Sequence, residues 1–124
     1  MMPPRIEEVL FQVRVGGRLP VMAHPERYRS IRADLAVAER IGHSSALVVD
    51  LAALAGNNGW TEKRVARRLL EEGLAHAVAT DMHSVKDARQ AAAGMDWIRK
   101  RLGAEALERL LADNPRRILA GDLP

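Results

Sequence analysis

The sequence has 124 residues, 48% of them apolar, which suffices for one compact domain and leaves no room for two. It contains no cysteine, so a disulfide framework, a thiolate metal site and a cysteine nucleophile are all excluded. The formal net charge is +3, with sixteen arginines against three lysines; this suits an anionic substrate, whereas no compact basic run with interleaved aromatics marks a nucleic-acid surface.

With only Phe11, Tyr28, Trp60 and Trp97 as aromatics, the core has to be built from Ala, Val, Leu, Ile and Met. No segment approaches the roughly 20 apolar residues of a membrane span. Met1-Met2-Pro3-Pro4-Arg5 lacks the apolar stretch of a secretory signal, and the expected compartment is the cytoplasm.

Ile6, Val9, Leu10 and Val13 recur at helical spacing and predict an amphipathic helix over residues 5–15, ended by Gly16-Gly17. Residues 19–23 read as a buried strand, stopped by His24-Pro25 because Pro25 cannot continue a sheet ladder. Ile31, Leu35, Ala38 and Ile41 predict a second helix closed by Gly42, and residues 46–51 a second buried strand. The stretch 55–59 is a loop by composition, after which Thr61 is placed to cap a third helix with Val65, Leu69 and Leu70 or Gly73 inward. Residues 75–80 form the third strand. Ser84 with Asp87 resembles a capping box opening a long helix, with Ala88, Ala91, Ala92, Met95, Ile98 and Leu102 along one side. Another helix is predicted over residues 104–111, and Asn114-Pro115 has the form of a new helix start, with Asn114 as N-cap and Pro115 in the first turn. Apolar strands alternating with helices imply an α/β fold, about three parallel strands with flanking helices.

The polar residues of interest fall at the carboxyl ends of these strands, the edge where parallel α/β folds gather their ligands. The first strand delivers His24-Pro25-Glu26-Arg27-Tyr28 and the third Thr80-Asp81-Met82-His83-Ser84. Asp81 and His83 are two apart in an extended segment and can face the same way, and a carboxylate with an imidazole suits Zn, Mn or Fe. The competing reading makes Asp81 or Ser84 a helix cap and His83 a loop residue. Arg27 has a planar fork for a phosphate, or forms a surface ion pair with Glu26 or another carboxylate. Asp50 points to the same edge, as an additional ligand or as a loop-capping carboxylate. His43 and His76 read as structural or solvated.

As whole strings these segments carry a resemblance. Residues 20–29, Pro-Val-Met-Ala-His-Pro-Glu-Arg-Tyr-Arg, closely resemble the segment that marks PHP-family tyrosine phosphatases of the capsule-regulating type. Thr80-Asp81-Met82-His83 looks like the later metal-binding segment of that family, and residues 114–121 are similar to its carboxyl-terminal ending. The resemblance implies a distorted (β/α) barrel holding two or three metal ions, manganese first and iron or zinc next. It implies that His24, Asp81 and His83 are metal ligands. Arg27 would bind phosphate and stabilise charge in catalysis, with Arg89 as a second phosphate contact.

The family opens with an H-x-H strand and further His and Glu ligands that do not precede His24 here. Residues 1–124 are therefore expected to form one domain, the carboxyl-terminal half of a PHP-like domain. About three strands cannot close a barrel, so a separate amino-terminal half or a homo-oligomer is expected to cover the open faces. The expected chemistry is metal-dependent phosphoester hydrolysis, with a phosphorylated protein such as a tyrosine kinase as substrate. The alternatives are a small phosphorylated metabolite as substrate, or a non-catalytic binding and regulatory module. A nucleic-acid-binding reading would require salt-sensitive retention on a nucleic-acid column.

Overall fold

The computed structural model describes residues 5–124; Met1 to Pro4, which belong to the segment read for a secretory signal, lie outside the described residues. Three strands, β1 (Val21–Ala23), β2 (Ala46–Asp50) and β3 (Ala77–Ala79), form one parallel sheet in the order β1-β2-β3. Val21 pairs with Ala46 and Ala23 with Val48, while Val48 pairs with Ala77 and Asp50 with Ala79. This register brings the ends of all three strands to one edge, so His24, Asp50 and the segment after Ala79 emerge side by side.

The central strand β2 is buried along most of its length, as an apolar run covered on both faces should be. β1 differs from the expected buried strand: only Met22 is buried, and Val21 and Ala23 are exposed on an edge with no neighbour. One apolar cluster unites Leu47 and Val49 of the sheet with Ile31, Ile41, Leu51, Leu54, Leu69 and Ile98 from the helices.

The helices are α1 (Ile6–Val15), α2 (Arg29–Ala33), α3 (Ala36–Gly42), α4 (Leu51–Leu54), α5 (Trp60–Glu71), α6 (Val85–Leu102), α7 (Ala104–Glu108) and α8 (Asn114–Leu119). α1 forms where its periodicity predicts, yet buries no residue fully; Ile6 and Leu10 lean on the core while Val9, Phe11, Val13 and Val15 stay exposed. The single helix expected across Ile31 and Ile41 is two. Asp34 is extended, and its Oδ1 accepts from the Ala36 N–H at 3.0 Å, so a mid-helix aspartate instead starts α3.

Thr61 is not the cap of α5. That helix begins at Trp60 from Gly59, whose positive φ makes the turn without a side-chain bond. On α6 the buried side is Ala91, Gly94 and Ile98, whereas Ala92 is exposed. Asn114 is not a cap either. α7 continues through a π-helical turn (Arg109–Asp113) directly into α8. In a regular α-turn the Pro115 ring would meet the carbonyl four residues back, and the wider turn relieves that clash. The Asn114 side chain is turned inward, where its Nδ2 donates to the His76 carbonyl at 2.7 Å.

α4 was not foreseen between the second strand and the loop. It exists because Asp50 ends β2 and its Oδ1 accepts from the Ala52 N–H at 3.0 Å, winding a turn whose four residues are all buried. α6 crosses directly over this turn at Gly94, where a Cβ would strike the Leu51 carbonyl oxygen.

Candidate metal centre

The site begins with two strained backbones. His24 follows β1 with φ 56° and Asp81 follows β3 with φ 46°, both in the left-handed region that non-glycine residues rarely occupy. Such strain, costing on the order of 1 kcal/mol or more each, persists where surrounding structure holds it and clusters at functional sites. At His24 the holding groups are the Val48 carbonyl, which accepts its N–H at 3.0 Å, and Pro25, which opens a 3-10 turn (Pro25–Arg27).

That geometry gathers the three residues expected as ligands. His24 Nε2 lies 3.6 Å from Asp81 Oδ2, and His83 Nε2 lies 3.6 Å from Asp81 Oδ1. His24, Asp50 and Asp81 line one cleft of about 160 Å³ at the carboxyl edge of the sheet. His83 is largely exposed, and its backbone is fixed by the start of α6. Ser84 Oγ accepts from the Asp87 N–H at 3.2 Å, and Asp87 Oδ2 accepts from the His83 N–H at 2.9 Å. The capping box thus closes on His83 rather than on Ser84, one residue earlier than its usual form.

Beneath His24 lies a second, buried group. A ring nitrogen of His24 and carboxylate oxygens of Glu26 and Asp50 lie within 4.8 Å of one another. Glu26 is fully buried; the 3-10 turn directs it inward to the end of β2, where Oε2 accepts from the Asp50 N–H at 3.4 Å. Burial pushes its carboxyl up to about 7, aided by the Asp50 charge and opposed by bonds from the Glu26 and Asp50 backbones and by Arg27. Among the described residues, His24 Nδ1 and Glu26 Oε1 are both buried without a hydrogen-bond partner. Such orphans are rare. Both atoms are metal donors, and His24, Glu26 and Asp50 make a nitrogen–oxygen set that fits Mn, Fe or Zn, with Asp81 and His83 on the Nε2 side of the imidazole.

Asp50 therefore acts as the capping carboxylate of α4 through Oδ1, while Oδ2 accepts from Arg27 Nη2 at 3.3 Å. Arg27 Nε also lies 3.8 Å from Glu62 Oε2 on α5. The ion-pair partners of Arg27 are thus Asp50 and Glu62, not Glu26. Glu62 in turn holds Arg32 at 2.8 Å, and Arg32 Nε donates to the Glu26 carbonyl at 3.1 Å. Arg27 keeps 41% of its side chain exposed, with Nη1 free of these contacts.

Arg89 lies on α6, exposed, without a hydrogen bond or ion pair among the described residues, and outside the cleft. His76 is structural, as expected. Its Nδ1 accepts from the Leu47 N–H at 2.9 Å, and burial lowers its pKa. His43 is exposed. Glu26 and Glu62 were not singled out from the sequence. The signal for Glu26 was Pro25, which cannot extend the strand and so turns the next residue inward; Glu62 has no local signal.

These features define a parallel α/β protein with histidines and carboxylates gathered at the carboxyl edge of its sheet. Residues 2–120 match the model of the CpsB/CapC family, described as capsular polysaccharide synthesis, and the chain belongs to that family. It is 35% identical over 85 residues to tyrosine-protein phosphatase YwqE of Bacillus subtilis, covering 68% of this chain and 34% of that protein. It is 32% identical over a 127-position alignment to tyrosine-protein phosphatase CpsB of Streptococcus pneumoniae, covering 96% and 52%. A crystal structure from work on these two proteins, described as unique metal-dependent tyrosine phosphatases, superposes with a TM-score of 0.82 at 29% identity. That match covers 98% of this chain and 50% of the other. The chain thus spans between about a third and a half of the relatives it matches, and its three strands and flanking helices correspond to part of their fold. The family resemblance drawn from the two strand-end motifs holds. No helix among the described residues is long and apolar enough to cross a membrane.

Proposed function

We propose that this chain carries part of a metal-dependent phosphatase centre, with phosphotyrosine in a cytoplasmic protein, such as a capsule-regulating tyrosine kinase, as its substrate. The observation that carries this reading is the meeting of His24, Asp81 and His83 above the buried orphan atoms of His24 and Glu26. In this reading residues 1–124 are the carboxyl-terminal half of a PHP-type domain. The remaining ligands come from a separate half or from a second copy.

His24, Asp81 and His83 would hold the ion, manganese by preference, with Glu26 and Asp50 as the inner carboxylates. A bound divalent ion supplies the positive charge that activates water and offsets phosphoryl oxygens. The chain's own residues do the rest. Arg27 presents its unpaired N–H groups to a phosphate and answers the charge that builds on its oxygens. The hydrogen bond to Asp50 and the longer ion pair with Glu62 orient the guanidinium from its inner side, which leaves the outer side for the ligand. Burial of Asp50 keeps that grip out of competition with water.

The test is elemental analysis of the purified chain beside a His24→Ala/Asp81→Ala variant, followed by hydrolysis of a phosphotyrosyl peptide. Stoichiometric manganese, iron or zinc that disappears in the variant supports the proposal. Absence of metal from both proteins, after reconstitution with each ion, overturns it.

A further inference from the structure

A cleft of about 520 Å³ opens beside the start of β3, at the opposite end of that strand from Asp81. Its apolar wall is Leu70, Leu102 and Leu110, and its rim carries Arg109 and Arg117. Both arginines are exposed, and neither makes a side-chain hydrogen bond or ion pair among the described residues. The one acidic side chain at the rim, Glu71, is already engaged by Arg101 at 2.9 Å, and Pro124 borders the cleft without pairing with either arginine.

The placement of the two guanidiniums depends on the π-helical turn. Eight residues of regular helix would set Arg109 and Arg117 about 80° apart around the axis. The wider turn between them cuts that angle and brings both onto the cleft. The bond from buried Asn114 to the His76 carbonyl locks this arrangement against β3. Two unpaired planar forks on one concave, partly apolar surface raise the local positive potential and match the geometry of an oxyanion. The volume lies within the range of small-molecule sites.

We propose that this cleft binds a small amphiphilic oxyanion, a phosphate or carboxylate joined to a short apolar body, independently of the His24 cluster. The test is titration of the isotope-labelled chain with n-hexylphosphonate, followed by backbone amide shifts, with inorganic phosphate run in parallel. Saturable shifts at Ala106, Leu110 and Asn114 are expected. Arg109→Ala/Arg117→Ala should weaken binding at least about tenfold, and its exposed positions leave the fold intact. His24→Ala/Asp81→Ala should leave the affinity unchanged. Unchanged affinity in the double arginine variant, shifts confined to residues 24–27 and 81–83, or equal affinity for inorganic phosphate would each overturn the proposal.

Discussion

Asp50 and Arg27 are joined across 23 residues of sequence by a single carboxylate oxygen, Oδ2, while the other oxygen of Asp50 holds the first turn of α4. One side chain therefore fixes both Arg27, the phosphate contact proposed above, and the end of the central strand. An amide in its place has one oxygen for two donors. Asp50→Asn is expected to lose one of the two bonds and cost about 1–3 kcal/mol in a denaturant titration. It should also weaken phosphate binding at Arg27. A midpoint equal to wild type would show that Asp50 does not unite the two elements.

Glu26 makes stability depend on pH with a definite sign. Its carboxyl is raised by burial from 4.5 to about 7, so the folded state holds a proton that the unfolded chain has released. The stability this provides is complete below about 4.5 and is lost as pH rises through about 7. Glu26→Gln keeps the shape and cannot ionise. The metal-free variant should therefore match wild type near pH 4.5 and exceed it at pH 8, by roughly 3 kcal/mol at most. Adding manganese at pH 8 should stabilise wild type more than the variant, because a cation compensates the buried charge. A constant difference across this range would refute the assignment.

The parts of the site that were legible in the sequence lie next to strand ends. His24 and Asp81 stand where apolar runs stop, and a parallel sheet brings those stops together, so their meeting required no knowledge of the packing. Glu26 lies in the same motif but was hidden, because a glutamate beside an arginine ordinarily signals a solvated pair. Only the 3-10 turn directs it inward. Glu62 was illegible for another reason: it reaches Arg27 through the docking of α5, and tertiary contacts of that kind leave no local pattern. Thr61 and Asn114 illustrate the converse. Both have good capping chemistry, overridden by the turn at Gly59 in one case and by the π turn with its inward hydrogen bond in the other.

The left-handed backbone of His24 separates its chemical role from its structural cost. Glycine adopts φ near 56° freely, whereas alanine meets the same steric penalty as histidine. His24→Gly should therefore be more stable than His24→Ala by about 1 kcal/mol in thermal or chemical unfolding. Both variants should lose the ion proposed for this site. If alanine were the more stable replacement, the strain at this position would not be real.

Gly94 tests whether the crossing of α6 over α4 supports the site from behind. A methyl group there would meet the Leu51 carbonyl oxygen, a backbone atom that cannot swing aside as a side chain can. Gly94→Ala raises helix propensity by up to about 1 kcal/mol, so on an open helix it would stabilise. Here the clash dominates, and a net loss of about 2 kcal/mol or more is expected. Leu51 follows Asp50 directly, so any retreat of α4 also shifts the carboxylate that holds Arg27. The variant should then lose phosphate affinity along with stability, even under conditions where it remains folded. Ala92, exposed on the same helix, provides the control: Ala92→Ser should change both quantities little. A stabilised Gly94→Ala protein with unaltered phosphate binding would show that α6 does not press on the strand end.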